Sequence, residues 1–222
     1  MPELFSGWGL SSVISSSDQQ SSPLFRTLQP LVLASASPRR HDLLKSMGLV
    51  FDVTASGAEE PHSTPGNAAE LVKQCAREKA MCVAERHVAH WILAADTVVV
   101  LDGEIFGKPL DSQEALFMLN RLNNREHEVL TGVCLWHQGK RFCQAESVVT
   151  RVRFKHLSAA EIRAYVASGE PLDKAGAYGI QGLGAFLVQA VYGSYTNVVG
   201  LPLCETLDVL TARGIVEPCC PA

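Results

Sequence analysis

The sequence has no surplus of positive charge, no apolar stretch long enough to span a bilayer and no paired-cysteine metal motif, and each absence removes a class of function. With 19 Lys and Arg against 23 Asp and Glu, the formal charge is −4. No broad basic face is available to collect the phosphates of a nucleic acid, although a local basic pocket stays open. The most apolar run, residues 92–101, is broken by Asp96 and falls short of the roughly 20 residues that cross a membrane. Seven cysteines are scattered and none forms C-x-x-C, so neither a zinc ribbon nor a disulfide framework is supported. Reduced thiols in the cytosol, and hence a cytoplasmic protein, are the expectation. No N-x-S/T sequon points to secretion.

Several nucleotide and hydrolase signatures are missing too. The chain has no G-x-x-x-x-G-K-S/T loop, no G-x-G-x-x-G after a strand, no H-E-x-x-H and no G-x-S-x-G. Kinase-like, dinucleotide-binding, zinc-protease and serine-hydrolase readings lose their main support.

What is present is one domain's worth of alternating elements in 222 residues, 47% of them hydrophobic. Residues 1–30 carry eight serines in the first 22 positions and no sustained periodicity, which predicts a flexible, dispensable leader. Order is expected to begin at the apolar run Leu31–Ala34, a buried strand. A helix follows from Ser37 and Pro38, its apolar face made by Leu43, Leu44 and Met47 and its stop by Gly48. Phe51–Ala55 reads as a strand and residues 67–88 as a helix. Residues 92–101 read as a central strand, turned by Asp102-Gly103 into Glu104–Phe106. Asp111 with Glu114 and Ser158 with Glu161 look like capping boxes for two further helices. Between those helices, residues 128–136 and 142–154 read as a hairpin. Residues 171–184 read as a Gly-rich loop, 185–191 as a strand and 202–213 as a last helix. The order predicts an α/β fold, a mixed central sheet flanked by helices, with ligands expected at strand ends and helix N-termini. The domain is expected over 31–214, with a short tail over 215–222. Cys219 formally satisfies a C-a-a-X prenylation pattern, but Pro221 fits it poorly and no polybasic stretch supports it, so no lipid is expected.

Five places could carry chemistry. The turn Ser35–Arg40 combines a helix start, hydroxyls and two guanidiniums, the equipment for holding a phosphate, unless it is an ordinary capped surface helix. Asp96 interrupts an apolar strand, and burying an uncompensated carboxylate is costly, so a metal, a water or a lysine should partner it; a strand-end Asp bonded to amides is the plainer reading. Lys79 and Lys108 are ordinary surface charges unless the helix and the Gly107-Lys108-Pro109 loop bring them to a ligand. Glu59-Glu60 could assist a metal or simply solvate a loop. In residues 173–182, glycines would let the backbone approach a ligand while Gln181 offers donor and acceptor to a base edge; a tight structural loop competes.

Taken together, Ala34–Arg40, Ala95–Val99, Gly107–Pro109, Ser168–Gly182 and Asn197–Leu203 resemble the Maf-like nucleotide pyrophosphatases from residue 31 to about 214. The resemblance implies a cleft like that of the inosine-triphosphate pyrophosphatase fold. It implies a nucleoside triphosphate pyrophosphatase, with residues 177–182 similar to the dTTP/UTP branch, releasing the monophosphate and pyrophosphate. On it, Asp96 is the proton acceptor, with Lys79 and Lys108 as further catalytic groups. Ser35, Arg39, Thr97 and Gln181 bind substrate, and Glu60 helps hold Mg or Mn. The partner is then a small nucleotide, modified pyrimidines included, with no nucleic acid, no membrane and room for a homodimer. The alternative is a nucleotide-binding regulator of cell division with little turnover.

Overall fold

The computed structural model describes residues 23–57 and 67–219; Glu60 and Pro221 lie outside them. Strand β1 (Phe25–Thr27) is followed by β2 (Leu31–Leu33), α1 (Pro38–Ser46), β3 (Asp52–Val53), α2 (Ala68–Ala84), β4 (Trp91–Leu101) and β5 (Glu104–Phe106). Next come α3 (Ser112–Leu122), β6 (Glu126–His137), β7 (Phe142–Phe154), α4 (Ala159–Ala167), three 3₁₀ turns between Glu170 and Leu187, β8 (Val188–Tyr192), α5 (Tyr195–Val199), α6 (Leu203–Ala212) and β9 (Val216–Pro218). The main sheet runs β3-β2-β4-β6-β7-β8, with β5 beside β4. β2 is parallel to β3 and β4 and the other pairings are antiparallel, so the sheet is mixed as expected.

Strand alternation on β4 decides what each helix covers. Ile92 and Ala94 pack with Ala76 and Ala80 of α2, whereas Leu93 and Ala95 pack with Leu44 of α1 and Leu210 of α6. Farther along the second face, Val99 and Leu101 join Leu119 of α3 and Ile162 of α4. By the same parity Asp96 faces α2 and Thr97 faces α1. Gly132, the register partner of Asp96, lets α2 lie close: a Cβ there would stand 2.2 Å from the Val72 carbonyl oxygen.

Local signals explain most boundaries. Asn67 caps α2 by accepting from the Ala69 N–H, Ser158 and Glu161 form a full capping box, and Asp102 and Gly103 take left-handed φ values of 52° and 80°, suited to a tight hairpin. Three expectations change. Ser37 sits at the start of α1 but makes no side-chain cap; its N–H donates to Ser35 Oγ. At α3 the capping box is incomplete, because Glu114 accepts the N–H of Leu110 rather than that of Asp111. Ordered chain also begins before Leu31: β1, inside the expected leader, pairs antiparallel with β9, inside the expected tail. Among the described residues no helix is long and apolar enough to cross a membrane.

Candidate active site

β2 pairs with β4 only as far as Leu93, and β5 takes up the same edge of β4 from Val99 onward. Between them that edge has no strand partner among the described residues, and a cleft of about 540 Å³ opens on the gap. Strand ends and sheet splits expose backbone and side chains together, which is why ligands collect there.

Seven of the eight residues expected at a site line this one cleft: Ser35, Arg39, Lys79, Asp96, Thr97, Lys108 and Gln181. The eighth, Glu60, lies outside the described residues. Among the described residues five cations, Arg39, Arg40, Lys79, Lys108 and Lys174, line the cleft against two acids, Asp96 and Asp173. In a chain whose overall charge is −4, this is a local basic pocket suited to a polyphosphate.

Asp96 and Lys79 are 8% and 9% exposed. Lys79 Nζ donates to Asp96 Oδ1 at 2.5 Å, so the carboxylate that interrupts the apolar strand is compensated by a lysine one helix away. Among the described residues Lys79 is the side chain's only hydrogen-bond partner. Cys75, one turn before Lys79 on α2, also lines the cleft. Burial first, and then the Asp96 carboxylate, push its thiol up to about 11, which keeps it neutral and poorly nucleophilic.

On the other face of β4, Thr97 belongs to a hydrogen-bond chain. Arg40 donates to Thr97 Oγ1 at 3.0 Å, to Ser35 Oγ at 3.1 Å and to the Gly200 carbonyl at 2.7 Å. Thr97 Oγ1 lies 2.9 Å from Thr131 Oγ1. Arg40 thus fixes the Ser35 turn against β4 and the α5 end, a bracing role not assigned to it from sequence although it stands in the motif. Arg39 points elsewhere: its Nη1 donates to Asp173 Oδ2 at 3.2 Å. Burial would raise the Asp173 carboxyl, but bonds from Lys174 and Arg39 hold it below its usual range. Asp173 opens the Gly-rich segment singled out from sequence, but its pairing with Arg39 was not foreseen, because the two lie 134 positions apart.

The Gly-rich loop forms the remaining wall. Gly176 donates to the Gly107 carbonyl at 2.9 Å, which joins the walls carrying Lys108 and Lys174. A Cβ on Gly176 would stand 2.8 Å from Val99 Cγ2, and its φ of 67° favours glycine as well. Tyr178 is buried, its hydroxyl 2.8 Å from His127 Nε2. Gln181 stands exposed on the rim.

Residues 30–213 match the family model described as Maf-like protein. A dTTP/UTP pyrophosphatase of Halalkalibacterium halodurans is 51% identical over 189 residues, 84% of this chain and 97% of that protein. One of Myxococcus xanthus is 53% identical over 190 residues, 85% and 94% of the two chains. Among solved structures, the Staphylococcus aureus Ham1 protein covers 72% of this chain and 80% of its own at 15% identity and a TM-score of 0.44; the assignment rests on the sequence relatives. With the family pattern running from residue 30 to residue 213 and half the residues shared with proteins matched over nearly their whole length, the chain belongs to the Maf-like family.

Proposed function

We propose that the chain is a nucleoside triphosphate pyrophosphatase that hydrolyses dTTP and UTP, and pyrimidine nucleotides modified on the ring, to the monophosphate and pyrophosphate. The observation that carries this reading is the buried Lys79–Asp96 pair inside a cleft with five cations. A binding module needs the cations; a carboxylate kept among them repels a polyphosphate and is retained for chemistry. The names of the relatives supply the substrate class.

In this reading the triphosphate is held by Arg39, Lys108, Ser35 and the N-terminus of α1. Asp96 accepts a proton from the attacking water, while Lys79 neutralises the buried carboxylate and faces the phosphates. Lys108 and Arg39 stabilise the charge that accumulates as pyrophosphate leaves. The donor set fits a divalent metal that arrives on the substrate. No group of three His, Cys, Asp or Glu gathers among the described residues, whereas magnesium bound through phosphates needs only one or two carboxylates. Glu60 and the substrate phosphates would hold Mg or Mn there, and the ion would supply charge neutralisation on the phosphates. The enzyme is taken to be cytosolic, with free nucleotides as its partners. The exposed thiols of Cys82, Cys143 and Cys204 suit a reducing compartment.

Asp96→Asn tests the assignment, since it preserves volume and much of the hydrogen bonding but cannot take a proton from water. Turnover of dTTP should fall by about 10²- to 10⁴-fold with nucleotide binding retained. A variant keeping more than about a tenth of wild-type kcat would remove Asp96 from the chemistry.

A further inference from the structure

Glu170 does not line the cleft, yet it organises the loop that does. Its Oε1 accepts the Tyr165 hydroxyl at 2.9 Å and the Gly184 N–H at 2.9 Å. Its Oε2 accepts the Leu183 N–H at 2.9 Å. Tyr165 in turn accepts the Gly179 N–H at 3.1 Å. The two ends of the short arch 179–184 are therefore pinned to one Tyr165–Glu170 pair, and Gln181 stands near its crown.

The surroundings leave little slack. A Cβ on Gly184 would stand 2.4 Å from the Tyr165 hydroxyl, and one on Gly182 would stand 2.8 Å from Glu170 Oε2 at a left-handed φ of 73°. Lys174, also on the cleft wall, donates from Nζ to the Glu170 carbonyl at 2.6 Å. Three donors converge on one carboxylate, and hydrogen bonds to an ionised acceptor are the stronger kind. Burial acts to raise the Glu170 carboxyl, but these N–H and O–H donors outweigh it and hold the group below its usual range.

We propose that Glu170 is the positioning residue for base recognition, its carboxylate holding the 179–184 arch in the shape that presents Gln181 to the pyrimidine ring. This rests on the pyrimidine nucleotide reading above. Glu170 touches no substrate; it acts through the backbone of Leu183 and Gly184 and, by way of Tyr165, through that of Gly179. Binding of the base should then depend on it far more than the phosphate chemistry at Asp96.

The test compares Glu170→Gln and Tyr165→Phe with wild type for kcat and KM on UTP, dTTP and CTP, alongside the melting temperature. An amide keeps the volume of Glu170 but turns an N–H against at least one of the loop's own donors. For Glu170→Gln, KM for UTP and dTTP should rise about tenfold with kcat nearly unchanged, and preference over CTP should fall by a similar factor. Tyr165→Phe should do the same by about threefold, and it decides the matter if Glu170→Gln does not fold. A selective wild type with equally selective variants overturns the proposal, as does a loss of kcat alone accompanied by a lower melting temperature. A wild type that turns over all three alike overturns the proposal too; one that turns over neither UTP nor dTTP overturns the functional reading instead, and the base-recognition role falls with it.

Discussion

Asp96 was legible from one line of sequence because an acid inside an apolar strand demands a partner, and the structure supplies Lys79 at 2.5 Å. Breaking such a pair leaves a charge buried without compensation, which costs about 3–5 kcal/mol. Lys79→Met, which leaves the Asp96 carboxylate buried without its lysine, should therefore lose about that much in urea unfolding. A loss below about 1 kcal/mol would show that the pair contributes little to folding. The roles of Asp173 and Glu170 were not legible, although both stand in segments singled out from sequence, since their partners are a distant guanidinium and backbone N–H groups whose positions only the folded loop defines. His127 was overlooked as well. Burial holds its imidazole down to about 3 from 6.5, so between those values the unfolded chain takes up a proton that the folded chain refuses. Stability should then fall as pH drops below 6.5, by up to about 1.4 kcal/mol per pH unit. His137 is also lowered, by burial and then by Lys140, and contributes in the same direction. Comparison with His127→Gln isolates the first group: the variant should lose less stability than wild type between pH 6.5 and 4.5, above the usual carboxylate range. Parallel pH profiles for the two proteins would contradict this.

The elements with dense local signals were the readable ones: the long strand β4, the β6–β7 hairpin, and helices α2 and α4 with their caps. β1 and β9 carry no such signal. Each is three residues long and the partners are joined by an ion pair spanning 191 positions, Arg26 with Glu217. Residues 171–184 were read as loop and 185–191 as strand; the structure adds short 3₁₀ turns, where Gly176 takes a left-handed φ, and the last of them runs to Leu187, so that β8 begins only at Val188. What sequence could not disclose is how closely α2 approaches the sheet. Gly132 has no clash only because it lacks a Cβ, with Val72 and Lys73 backbone atoms 2.2 to 2.7 Å from where one would stand. Gly132→Ala should push α2 outward and cost about 1–3 kcal/mol or more. Because α2 carries Lys79, kcat should drop as well. Normal stability and turnover in this variant would mean that the helix can shift without disturbing the Lys79–Asp96 pair.

For the molecule as a whole, the strands divide their labour: β4 and the turn after β2 carry Asp96, Thr97 and Ser35 to the cleft, while β1 and β9 pair into a small second sheet. Phe25 packs on the α1–α6 core and the Leu28 N–H donates to the Ile215 carbonyl at 2.7 Å. A chain beginning at residue 29 should therefore melt below one beginning at residue 23, by about 2–4 °C for each kcal/mol lost. Equal melting temperatures would show that the β1–β9 pair adds nothing. The mixed α/β architecture was readable because strands and helices alternate; the split between β2 and β5 that opens the cleft follows from where pairing stops, which periodicity does not report. The central claim concerns what the whole enzyme makes. Turnover of dTTP with magnesium in heavy-oxygen water, followed by mass spectrometry of the products, tests it most directly. The account predicts dTMP and pyrophosphate, with one heavy oxygen in dTMP from attack of water at the α-phosphorus. Formation of dTDP and inorganic phosphate, or stoichiometric binding with no product, would contradict it.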